Sequence, residues 1–252
     1  MNNIKLKGAK NLRDLAGLKG IYGTIKPNKI LRGPALDNLY EKDIDILVNK
    51  YKLKTVIDLR TDREKDDRYD IRIPGVTYYH MPVFKESTPG FTHEDDSHIK
   101  RKTIDMTLLY KHILDIEYLN NISKIIKKIL NFSDNNYSTI IHCSEGKDRT
   151  GVIILILLLI LGINKNTIME DYLYTNKVNK KKAKRLHFEY KYIYHDKKRA
   201  ENVFNIFLAK EEYLNQVFNT IETKWSSLDS FFKEGLKLTD TEITNFRNNV
   251  LN

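Results

Sequence analysis

The sequence is short of cysteine. Among 252 residues Cys143 is the only one, which excludes an intramolecular disulfide and fits a reducing compartment. Proline and glycine are sparse, at 5 and 11, and they do not cluster, so nothing reads as an interdomain hinge or low-complexity linker. No repeat of fixed period is present. Long apolar runs are missing too: the longest, Val152–Leu161, is about half of the roughly 20 residues that span a bilayer, and reads as a buried core helix. The opening MNNIKLKGAKNLRDL has no continuous apolar stretch of the kind a secretory signal needs. The expected location is therefore cytoplasmic, or outside the cell by a route without a recognisable signal. Acidic residues are outnumbered, 33 against 43 Lys and Arg, and the resulting charge of +10 favours anionic partners.

What is present is ordinary globular composition, 41% hydrophobic and 30% charged, in a chain long enough to bury a substantial core. Residues 1–252 read as one domain. KTVIDLR (Lys54–Arg60), GVTYYHMPV (Gly75–Val83) and YSTIIHC (Tyr137–Cys143) have apolar, β-branched or aromatic centres and flanking turn signals, and are expected as strands. Residues 107–132 carry apolar positions three and four apart, which predicts a helix; LYEKDIDILVNKYK also looks helical. From residue 164 onward the pattern is helical throughout: one helix capped at Asn166, another over Val203–Trp225, and a last one starting at Thr239 and Asp240. Strands alternating with helices predict an α/β fold with a mostly parallel central sheet flanked by helices, followed by a helical C-terminal part. Glu86–Lys102 is polar and aperiodic, and reads as a long loop.

The chemistry concentrates in HCSEGKDRTG. A strand ends at Cys143 and an apolar helix begins near Gly151. A loop wrapped onto a helix N-terminus turns successive backbone N–H groups toward one point, where the helix dipole adds positive potential. Gly146 permits the backbone this requires, and Arg149 brings a planar, bidentate phosphate donor. Cys143 lies at the floor of this anion cradle, where the same field favours thiolate over thiol. One geometry thus supplies a bound phosphate and a nucleophile beneath it, as transfer through a phosphocysteine requires. Arg149 and the loop amides of Ser144, Glu145, Gly146 and Lys147 would hold the phosphoryl oxygens, with Lys147 at the rim. Thr150 or Ser144 can hydrogen-bond the sulfur, His142 can shape the loop, and Asp148 is the nearest general acid, with Asp95 and Asp96 of the long Glu86–Lys102 loop as rivals. The chemistry calls for no metal and no cofactor.

This loop resembles the Cys-(five residues)-Arg-Thr signature of the protein tyrosine phosphatase superfamily, and its GKDRTG form resembles bacterial tyrosine phosphatases that also accept phosphoinositides. NLRDLAG (Asn11–Gly17), ILRGPALDNL (Ile30–Leu39), VIDLRTDRE (Val56–Glu64) and EDYLYTN (Glu170–Asn176) are similar to further segments of that family, and the C-terminal third matches in outline. The resemblance implies a cysteine-phosphatase fold, a lid at roughly 86–108, Asp148 as general acid, and Asp58 near the site in a supporting role. By residue type alone, Asp58 and Arg60 read as structural, since a strand-end Asp often caps the following turn. Glu145 departs from the small residue more usual there; myotubularin-type phosphoinositide phosphatases have an acid at that place, which tilts the expected substrate toward phosphoinositides beside phosphotyrosine proteins.

Two other functions use the same residues: a non-catalytic phosphate-binding module and a rhodanese-like sulfurtransferase, the second disfavoured by the Arg-Thr pair. The basic run Asn179–Arg199, with Tyr190, Tyr192 and Tyr194, reads either as a solvated helix face or as a surface for peripheral contact with acidic membranes. Nucleic acid is not expected as a partner.

Overall fold

The computed structural model describes residues 2–85, 105–132 and 136–252. Its strands are β1 (Asn2–Asn3), β2 (Arg13–Asp14), β3 (Lys19–Gly20), β4 (Gly23–Thr24), β5 (Ile30–Gly33), β6 (Leu53–Asp58), β7 (Thr77–His80) and β8 (Ser138–His142). Six form one sheet in the order β1-β2-β5-β8-β6-β7, while β3 and β4 make a separate small hairpin. The four strands β5, β8, β6 and β7 run parallel, and β1 and β2 add on antiparallel. The sheet is thus mostly parallel, with the strand that leads to Cys143 at its centre. β1 to β4 escaped sequence reading because two-residue strands show no period, and β5 because four residues are too few to establish one.

Central strands of a parallel sheet are covered on both faces and so read as continuous apolar runs. Here Leu31, Val56 and Ile140 face one core, while Ile30, Ile57 and Ile141 face the other. This period of two carries on past the strand ends. Asp58 and His142 are register partners and share a face, and Cys143 turns to the opposite one, with Ile141.

Among the described residues the α-helices longer than one turn are α1 (Glu41–Asp45), α2 (Asp62–Asp67), α3 (Met106–His112), α4 (Ile116–Leu130), α5 (Asp148–Ile160), α6 (Lys165–Tyr174), α7 (Asn176–Phe188), α8 (Lys197–Phe207), α9 (Glu211–Trp225) and α10 (Asp240–Val250). Every residue of α5 is buried, which is why its sequence shows no polar face. Two expected long helices are each broken in two. One breaks where Asp115 caps a new start before Ile116, the other at extended Leu208 and Lys210. The cap of α6 is Asn164, whose side chain accepts from Thr167 N, and not Asn166. Thr239 caps α10 in a reciprocal box with Glu242, as expected. Among the described residues, no helix is long and apolar enough to cross a membrane.

Candidate active site

Cys143 is the first residue after β8, and α5 begins at Asp148, three residues earlier than the sequence suggested. Asp148, Arg149 and Thr150 therefore form the first turn, where backbone N–H groups have no partner within the helix. Outside the loop, three carbonyls are taken up: Asn11 Nδ2 donates to Glu145 O (3.1 Å), Arg32 Nη2 to Gly146 O (2.9 Å) and Ala35 N to Ser144 O (3.2 Å). With its carbonyls held outward, the loop turns N–H groups inward.

Gly146 is where this geometry is tightest. Its φ is +66°, and a Cβ there would lie 2.4 Å from the Gly33 carbonyl atoms and 2.9 Å from Pro34 N. Gly146→Ala combines left-handed strain with overpacking, together about 2 kcal/mol or more. The expected result is a thermal midpoint lower by roughly 4–8 °C. An unchanged midpoint would show that the loop has slack.

Arg32 is held in turn by Asp171 of α6, which bridges it to Arg13; Arg13 Nε meets Asp171 Oδ1 at 2.7 Å. All three side chains are buried. Burial, then the like charge of Arg32, lowers Arg13 to about 10, while the two guanidinium groups outweigh burial and hold Asp171 below its ordinary value.

The anchor of Arg149 is Glu64, in the first turn of α2. The pair is bidentate, with Nη1–Oε2 at 2.5 Å and Nη2–Oε1 at 2.6 Å. Glu64 also accepts from Ser144 Oγ (2.9 Å) and Thr61 N (2.9 Å). Burial works against ionisation of Glu64, but Arg149 outweighs it and holds the carboxyl at about 2. Burial likewise opposes the Arg149 charge; Glu64, with Cys143 and Asp148 after it, raises Arg149 above its ordinary value. The Ser144 hydroxyl is thus committed to Glu64 and not to sulfur, and Thr150 Oγ1 is buried without a hydrogen-bond partner among the described residues.

His142 faces away from this cradle. Its Nε2 lies 3.0 Å from Asp70 Oδ2 and 3.9 Å from Asp58 Oδ1, at ion-pair range though off the line of a well-formed hydrogen bond. Burial disfavours the imidazolium, yet the two carboxylates raise His142 above its ordinary value. Asp58 itself is paired with Arg60 at 2.8 Å and held at about 2, burial being outweighed by His142 and Arg60. Asp58, Asp70 and His142 have the donor types for a cation. Arg60 Nη2, at 2.8 and 3.1 Å from the two carboxylates, balances them together with His142, so the cluster is read as a buttress beneath the loop.

Asp148 turns toward α3. Its Oδ1 accepts from Tyr110 OH (2.6 Å) and pairs with Lys147 Nζ (2.8 Å), and Tyr110 OH also meets Tyr172 OH at 2.8 Å. Burial first, then Asp148, raises Tyr110 well above its ordinary value, so the phenol keeps its proton and donates. Lys147 was expected at the rim; it is 2% exposed and donates to Leu208 O at the end of α8. Glu145 turns outward to Lys182 of α7, 2.6 Å away.

Cys143 and Arg149 are only 3% and 4% exposed. The part of the chain seen over the loop is the α7–α8 pair and the segment after it, tied together by reciprocal 2.8 Å bonds between Asn176 and Ala209. The lid expected at 86–108 lies mostly outside the described residues, as do Asp95 and Asp96; residues 106–108 open α3. Sequence reading missed Glu64, Tyr110, Asn11, Arg32, Arg13 and Asp171 as parts of the site. Glu64 left a local signal, the Thr61-x-x-Glu64 pattern of a capping box, and Asn11, Arg13, Arg32 and Asp171 lie in segments similar to the family; Tyr110 left none.

A model of the tyrosine phosphatase family matches residues 4–252. The triple specificity protein phosphatase PtpB of Mycobacterium tuberculosis is 24% identical over 196 residues, 68% of this chain and 68% of that one. Among solved structures, the core catalytic domain of the PP-IP phosphatase SIW14 from S. cerevisiae, in complex with citrate, matches with a TM-score of 0.37 at 16% identity, over 68% of this chain and 78% of that one. PTPMT1 in complex with PI(5)P matches with a TM-score of 0.37 at 11% identity, over 78% and 92%.

Proposed function

Since the chain belongs to the tyrosine phosphatase family and is a cysteine-dependent phosphatase, a hydrolase of phosphoric monoesters, we propose that Cys143 is its nucleophile and that it acts on phosphotyrosine proteins and phosphoinositides. The observation that carries the assignment is a cysteine at the floor of a loop whose carbonyls are held outward, beside an Arg149 fixed by Glu64. The Sγ thiolate attacks phosphorus as the bond to the leaving oxygen breaks, and Asp148 gives that oxygen its proton. Water then attacks phosphorus, Asp148 takes up a proton, and the P–S bond breaks to release inorganic phosphate and the thiolate. Arg149 and the amides of residues 144–150 hold the equatorial oxygens throughout. The Asp58–His142 buttress supports the loop from the far face. The triple specificity named for PtpB supports a broad substrate range. For lipid substrates, the exposed Phe188, Tyr192, Ile193 and Tyr194 beside a basic helix form the surface for peripheral contact with acidic membranes.

The test is alkylation. Iodoacetate is expected to inactivate the protein near neutral pH with one carboxymethyl group on Cys143, and inorganic phosphate is expected to slow it. Failure of phosphate to protect would remove the cradle from the reading.

The same scheme assigns Tyr110 a positioning role through Asp148. Tyr110→Phe is expected to lower kcat roughly tenfold on an alkyl phosphate, whose leaving group needs the proton, and far less on para-nitrophenyl phosphate, whose leaving group does not. Equal losses on both esters would mean that Tyr110 only fills space.

A further inference from the structure

Beside the loop lies a groove of about 820 Å³, bounded by the N-terminal segment, the turn after β5, and α7, and it reaches the loop at Ser144 and Glu145. Seven of its lining residues are Lys or Arg and two are carboxylates. The carboxylates are already matched: Asp37 to Arg68 at 2.8 Å and Glu145 to Lys182 at 2.6 Å. Lys5, Lys10, Lys177 and Lys181 remain, all exposed and none with a carboxylate partner among the described residues. The charge is therefore unbalanced where a substrate held in the cradle would extend. Among the described residues the groove has no aromatic side chain in its lining, while Asn3 and Asn38 offer donors and acceptors of the kind that bind hydroxyls. Such a wall suits a phosphorylated polyol better than a phenyl ring, which gains most from aromatic contact.

We propose that this groove is a second anion subsite, which takes another phosphate monoester of an inositol ring while the cradle holds the one to be hydrolysed. The proposal rests on Cys143 being the nucleophile and deepens that reading by naming the preferred substrate as a doubly phosphorylated polyol. Lys182 has a part in the arrangement: by engaging Glu145 it keeps the one acid at the junction from facing the incoming phosphates. Soluble inositol phosphates and lipid headgroups share this chemistry.

The experiment compares mono- and bisphosphorylated substrates on the wild type and on a Lys5→Ala/Lys10→Ala/Lys177→Ala/Lys181→Ala variant. All four positions are exposed, so folding is expected to be retained, which a thermal midpoint checks. The wild type is expected to prefer the bisphosphate in kcat/KM. The variant is expected to lose roughly tenfold or more on it, with para-nitrophenyl phosphate unaffected. High salt is expected to erase the preference. The preference should appear with soluble inositol bisphosphate and with the lipid in neutral detergent micelles alike. A preference confined to anionic vesicles would overturn the subsite in favour of surface attraction. An equal preference for doubly over singly phosphorylated tyrosine peptides would overturn its assignment to a polyol, and equal losses on mono- and bisphosphate would overturn it altogether. If the wild type failed to hydrolyse para-nitrophenyl phosphate, the nucleophile assignment would fall first; if that ester turned over without any bisphosphate preference, only the subsite would.

Discussion

Cys143→Ser is expected to lose at least about 10⁴-fold in kcat on every phosphate ester while still binding inorganic phosphate. Serine at this place would keep the size of the side chain, but its hydroxyl stays protonated in a field that is enough to favour a thiolate, and His142 lies on the other face of the sheet. The binding apparatus does not pass through sulfur. Arg149 is fixed by Glu64, and the loop carbonyls by Asn11, Arg32 and the amide of Ala35. Binding and turnover should therefore separate, which isothermal titration with phosphate beside a steady-state assay would show. Equal turnover by wild type and variant would remove Cys143 from the mechanism. Loss of both properties together, in a variant with a lowered thermal midpoint, would instead mean that the sulfur is a packing element of the apolar cluster around it.

The part of this site that could be read from the sequence is the part carried by contiguous residues. Cys143 to Gly151 hold the proposed nucleophile, glycine, arginine and helix start in one short run, and strand and helix on either side declare themselves by apolar content. What could not be read is the support, because it comes from places brought together only by the sheet. Asn11 and Arg32 reach the loop because β2 pairs with β5 and β5 with β8, and two-residue strands leave no periodic trace. Glu64 was legible as a capping-box acid but not as the partner of a residue 85 positions away. Asp148 was legible as an acid beside Arg149; that a buried phenol on α3 would hold it was not, since Tyr110 sits in its helix as any core aromatic would. Composition was equally silent on the direction of Glu145, which depends on where α7 packs.

Glu64 carries the second large effect, on stability and on rate together. Its carboxylate satisfies Arg149, Ser144 and the start of α2 at once. Glu64→Ala leaves the Arg149 guanidinium buried without its counter-charge, a change that costs about 3–5 kcal/mol. It also frees Arg149 from the orientation in which it meets the phosphoryl oxygens, so kcat/KM is expected to fall by roughly 10² or more. The pH dependence separates this role from simple packing. The carboxyl is held at about 2 against an ordinary 4.5, so its contribution is fully present above that ordinary value and is lost as pH falls through the folded-state value. The span corresponds to about 3 kcal/mol. Asp58, also held at about 2, adds in the same direction. Urea unfolding of the wild type between pH 6 and pH 3 should therefore show stability falling with acid, and Glu64→Ala, already destabilised at pH 6, should show a shallower fall. Parallel curves for the two proteins would mean that the Glu64–Arg149 pair contributes no net charge coupling to folding, and Arg149 would then have to be held by the loop alone.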